Sequence, residues 1–115
     1  MVKREVIGAH YGLRDWLAQR VTAVVMTVYT LAFVAALAGM PQLDFASWKA
    51  LWTQPWMRYA TLLFLLSAFV HAWIGVRNIL MDYVQHIGVR LPLYVAVILA
   101  LVLYGAWSVQ ILWGL

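Results

Sequence analysis

Residues 56–82 read WMRYATLLFLLSAFVHAWIGVRNILMD, and the length and composition of this run decide the fold class. It is apolar almost throughout and long enough, at 1.5 Å per helical residue, to cross the roughly 30 Å hydrocarbon layer of a bilayer. Its second half, continued to Tyr83, turns polar on one side. Wound at about 100° per residue, Ser67, His71, Gly75, Asn78 and Asp82 share a face. Leu66, Phe69, Val70, Trp73 and Val76 take much of the remaining circumference. An ionisable side chain inside a span is costly and therefore faces a partner helix, a cofactor or a water path. Three roles for His71 stand open on these grounds: a hydrogen bond to a neighbouring helix, ligation of a metal or haem, and proton relay. Gly75, one turn on, leaves room for something bulky against the backbone.

Composition supports the membrane reading. Of 115 residues, 66% are hydrophobic and only 10% charged, against about a quarter charged in soluble proteins. A chain this short, one domain over residues 1–115, buries too little surface to hide so much apolar area in a core of its own. Without cysteine it offers no disulfide, no thiolate metal site and no iron–sulfur ligation. Phosphate-binding glycine loops and the H-E-x-x-H zinc motif are also missing from the sequence. The net charge of +4 does not mark a nucleic-acid protein, because the basic residues stand at the ends of apolar runs as topology signals do.

Outward from the central run, residues 1–19 form a mixed-charge segment expected at the membrane surface, and residues 20–39 form a first span with Arg20 at its mouth. A cleaved secretory leader is not expected. The region before the apolar run carries Glu5 and Asp15, and the run exceeds a leader's apolar core, although Ala36-Leu37-Ala38 resembles a cleavage site. No organelle transit pattern is visible, which favours a bacterial membrane. Between the first two spans, Asp44 is placed to cap a short helix. Trp48, Trp52 and Trp56, spaced four apart, read as an interfacial anchor lying on the bilayer. After YVQHIGVR (residues 83–90), Pro92 suits the first turn of a third span, residues 92–113. Lys3, Arg4, Arg14, Arg20, Arg77 and Arg90 share one side against Lys49 and Arg58 on the other. That excess predicts a cytoplasmic amino terminus and a periplasmic carboxyl terminus. The expectation is an all-α integral membrane protein of three transmembrane helices.

Two segments then carry a specific resemblance. RVTAVVMTVY (residues 20–29) and HAWIGVRNILMDYV (residues 71–84), within three spans, resemble the smaller cytochrome b membrane anchor subunit of bacterial succinate dehydrogenase. The likeness is strong across H-A-W-I-G-x-x-x-x-x-x-D-Y and good at D-W-x-x-x-R-x-T-A; it is weak in the first ten residues and the tryptophan loop. The resemblance implies half of a heterodimeric haem-binding helix bundle. A second cytochrome b anchor subunit would supply the other axial histidine, and a flavoprotein and an iron–sulfur subunit would oxidise succinate in the cytoplasm. It implies that His71 is an axial ligand of haem b, that Arg20 meets a haem propionate, and that Tyr83 with Asp82 contacts ubiquinone. No family motif covers His10, Arg14 or His86. The competing class is a haem-free structural anchor or a proton-conducting subunit of another membrane complex, in which His71 packs or relays protons.

Overall fold

The computed structural model describes the backbone of residues 2–114 and the side chains of residues 12–114. It contains four helices: α1 (Val2–Ala38), α2 (Phe45–Thr53), α3 (Pro55–Tyr83) and α4 (Ile87–Trp113). Three stretches, Gly12–Ala38, Pro55–Tyr83 and Ile87–Trp113, are long and apolar enough to cross a membrane. Buried apolar side chains among the described residues are only Met57, Ile74 and Leu112, while large side chains such as Val24, Val28, Leu31, Leu63, Leu66, Val102 and Leu103 face outward. Such an inside-poor, outside-apolar surface suits lipid and partner helices. The chain is an all-α, multi-pass membrane protein.

Helix α3 is the middle of the bundle. It packs antiparallel to α1 along one flank and to α4 along another, and α2 leans on its start. The α1 flank is polar as well as apolar. Tyr29 Oη and Thr61 Oγ1 lie 2.5 Å apart, and the Tyr29 ring stacks on Phe64 at 4.6 Å between centroids. Farther along the same seam, Thr22 meets His71, and Arg77 Nη2 donates to Asp15. The α4 flank is aromatic and small: Tyr59 packs edge-on against Trp113, Trp73 against Tyr94, and Phe69 lies against Gly105.

The helix ends differ from the sequence reading in three places, each with a local cause. No proline interrupts residues 2–38, so the surface segment expected over 1–19 and the first span form one helix, α1. Its stop is at Gly39-Met40-Pro41, where Gly39 N–H reaches Ala35 O and Met40 N–H reaches Leu37 O. Arg20 therefore stands within a continuous helix, with Leu13, Arg14, Trp16 and Leu17 exposed on the turns before it. Helix α4 begins at Ile87, five positions ahead of Pro92. His86 caps it, its Nδ1 accepting the Gly88 N–H at 3.2 Å, so Pro92 falls in the interior, where it removes one helix hydrogen bond.

The tryptophan loop is the third. Asp44 does cap α2, accepting the Ser47 N–H at 2.8 Å, and that bond holds its carboxyl below the usual range, so the cap is charged at neutral pH. Trp56, however, belongs to α3, because Pro55 starts a new helix. Trp48, still exposed, and the half-buried Trp52 also meet an aromatic ring of α1. Their rings meet at 5.5 Å and each lies 6.2 Å from Phe33 near the end of α1. Arg58 Nε donates to Trp52 O at 2.8 Å and pins α2 to the start of α3.

Hydrogen bonds between membrane helices contribute about 0.6 kcal/mol on average and about 1.7 at most. Tyr29→Phe keeps the ring on Phe64 and removes the hydroxyl at Thr61. Reversible unfolding in bicelles should show a loss within that range; no loss at all would mean that the Tyr29–Thr61 pair contributes nothing to the seam.

Candidate functional site

The polar face of α3 is built one turn at a time. Ser67 is buried and His71 half-buried. His71 Nδ1 lies 3.0 Å from Thr22 Oγ1 on α1. Thr22 is itself buried, with its hydroxyl donating back to Ala18 O at 2.7 Å and Gln19 O at 3.2 Å. His71 Nε2 has no hydrogen-bond partner among the described residues, and it is not sealed inside the chain. The imidazole is thus gripped at one nitrogen and open at the other.

One turn on, Gly75 faces Gln19 of α1. A Cβ built at Gly75 would come no closer than 3.9 Å to Gln19 Nε2, an ordinary contact. No other atom comes within 4 Å of that position among the described residues, so room remains beside the Gly75 backbone. Gln19 Oε1 is buried without a partner. Asn78 and Asp82 continue the face into exposed positions. The Asp82 side chain forms no hydrogen bond or ion pair among the described residues; Arg77, five positions before it and so on another face of α3, pairs with Asp15. Tyr83 closes α3 and is 81% exposed; beyond it the Val84 N–H ends the helix on Leu80 O at 2.9 Å.

The proposed site residues are not all gathered by this chain. Asp82 lies eleven residues beyond His71, about 16 Å along the axis. Arg20 lies two positions before Thr22, about 200° round α1, and so projects away from the His71 seam. It is exposed, its guanidinium 5.2 Å from the centre of the Trp16 ring. No described carboxylate pairs with it. Arg20 therefore presents a charge to whatever lies outside that flank. His86 is committed through Nδ1 to capping α4. The side chain of His10 lies outside the described residues. Among the described residues no group of three His, Cys, Asp or Glu side chains is assembled for a metal ion.

Sequence reading passed over Asp15, Gln19 and Thr22 as partners of the α3 stripe. The signal was present: spacings of four and three put them on one face of α1, and two of them are fixed positions of D-W-x-x-x-R-x-T-A. What the sequence lacked was the pairing of that face with α3.

Comparison with known proteins identifies the family. Residues 2–107 match the model of a family described as the succinate dehydrogenase/fumarate reductase transmembrane subunit. A succinate dehydrogenase hydrophobic membrane anchor subunit from Coxiella burnetii is 36% identical over 102 residues, which cover 89% of this chain and 89% of that protein. With a likeness that runs through all three membrane helices, the chain belongs to the family of succinate dehydrogenase and fumarate reductase transmembrane subunits.

Proposed function

We propose that this chain, acting as one membrane domain over residues 1–115, anchors a succinate dehydrogenase and helps bind haem b and ubiquinone. The observation that carries the reading is His71, held at Nδ1 and free at Nε2 in a polar seam within an apolar bundle. One coordinating nitrogen with the other engaged in a hydrogen bond is the arrangement that histidine ligands take. The donor set fits half of a haem site. His71 would bind the iron through Nε2, and Arg20, exposed beside Trp16 on the flank of α1 away from that seam, would offer a propionate two parallel donors. When bound, haem b supplies a one-electron centre between two imidazoles.

The second imidazole comes from a second cytochrome b anchor subunit. His86 is fifteen residues from His71, about 22 Å along a continued helix, and is occupied at its cap. With no cysteine and no soluble active-site motif in the chain, succinate oxidation falls to a flavoprotein subunit, and electron delivery to an iron–sulfur subunit. The chain itself is non-catalytic toward succinate. Its basic residues place the amino terminus and the end of α3 at the cytoplasmic face of a bacterial inner membrane and the carboxyl terminus in the periplasm.

Asp82 and Tyr83 then stand where an iron–sulfur partner and a membrane-borne quinone meet. Ubiquinone takes up two electrons, from the iron–sulfur subunit, and two protons to become ubiquinol. Negative charge grows on its carbonyl oxygens during reduction and is stabilised by donors already in place. The Tyr83 hydroxyl donates such a bond. An ionised Asp82 cannot; it orients water or a basic group and passes protons. Their exposure supports the reading, since the remaining walls come from partners and the isoprenoid tail stays in lipid.

Three experiments test it on the purified complex. A dithionite-reduced minus oxidised spectrum should show a b-type haem; an intact complex without one leaves a structural or proton-conducting anchor. Arg20→Leu should lower haem retention or shift its reduction potential. Unchanged content and potential would reduce Arg20 to a topology signal resting on Trp16. Tyr83→Phe should lower quinone reduction about tenfold, the worth of one well-placed hydrogen bond, while haem content and succinate oxidation with a soluble artificial acceptor persist. Wild-type quinone kinetics would sink the proposed bond.

A further inference from the structure

The seam between α1 and α3 contains a relay of three polar atoms. Thr22 Oγ1 lies 2.7 Å from Ala18 O and 3.0 Å from His71 Nδ1. A carbonyl oxygen has no proton to give, so the 2.7 Å contact is a hydrogen bond only if the threonine hydroxyl donates it. A hydroxyl has one proton. Once that proton is directed at Ala18 O, with Gln19 O beside it at 3.2 Å, Thr22 can only accept from His71. The proton of the neutral imidazole is therefore on Nδ1, and the lone pair is on Nε2. Both side chains that make the bond are shielded, Thr22 fully and His71 by half, and hydrocarbon offers no water to compete for it.

We infer that Thr22 is a positioning residue for the metal-binding nitrogen of His71: it selects the Nδ1–H tautomer, aims Nε2 and strengthens it as an electron donor to a metal. The inference rests on the reading of His71 as an axial ligand and names the residue that tunes it. Partial withdrawal of the Nδ1 proton by an acceptor makes an imidazole a stronger electron donor through the other nitrogen, which favours the oxidised metal. The same bond fastens the ligand-bearing helix to the side of α1 opposite Arg20.

The test compares Thr22→Val with Thr22→Ser in the intact complex. Valine keeps the branched shape and loses the hydroxyl; serine keeps the hydroxyl and loses a methyl group. Redox titration of the haem should show a shift to higher potential in Thr22→Val and a potential near wild type in Thr22→Ser. Haem affinity should fall in the valine variant, by about tenfold or more as for other partners of metal-bound histidines. A potential unmoved in Thr22→Val, moved equally in both variants, or moved to lower values overturns the inference. The last result would mean that Thr22 donates to the ring instead. If Thr22→Val does not assemble, Thr22→Ala removes the hydroxyl without adding bulk and is read by the same titration. His71→Ala run in parallel separates this failure from that of the parent reading. Loss of the low-spin haem spectrum there, with an unmoved Thr22→Val potential, overturns the role of Thr22 alone. Its persistence overturns the ligand assignment, and the role of Thr22 with it.

Discussion

A polar side chain inside a bilayer must find its hydrogen-bond partner within the protein, and the seam between α1 and α3 is arranged around that constraint. Asp15 meets Arg77, Thr22 meets His71 and Tyr29 meets Thr61. The three contacts run antiparallel along the two helices in register. Slipping α1 along α3 by one turn would break all three together and leave several polar groups facing hydrocarbon. Apolar packing gives little of this discrimination, because lipid chains are as apolar as the valines and leucines that line the outer faces.

The same constraint shows where the bundle is unfinished. The inner seam satisfies its polar groups, with Gln19 Oε1 and Arg77 Nε as buried exceptions. On the outside, Arg20, Asp82 and Tyr83 are exposed, and neither of the two charges has an oppositely charged partner among the described residues. An arginine within an apolar helix surface carries a large penalty unless another group approaches it. An anchor subunit that shares its ligands with other chains would be built in this way, with internal contacts holding the scaffold and outward charges reserved for the shared site.

Local chemistry explains the places where the helices depart from the sequence reading. Pro92 suits a helix start by sequence, yet His86, six residues earlier, caps α4 and the proline is carried in its interior. The tryptophans at spacing four look like one stripe, but Pro55 divides them between α2 and α3. Trp48 and Trp52 then face Phe33 on α1, a contact between residues far apart in the chain.

The sequence by itself determined the solvent, the number of membrane helices and the polar face of α3, because hydropathy and helical periodicity are local properties. It also determined the candidate groups, since His71, Arg20, Asp82 and Tyr83 stand in motifs of recognisable spacing. Only the tertiary structure decided which of them work from a common place. Thr22 reaches His71 across 49 positions of chain, Asp15 pairs with Arg77, and Gln19 comes to face Gly75. Arg20 and Thr22, two residues apart, are sent to opposite sides of α1. Periodicity orders residues around a single helix; the facing of one helix toward another depends on how long-range polar contacts are satisfied in a medium that supplies none, and that exists only once the helices have packed.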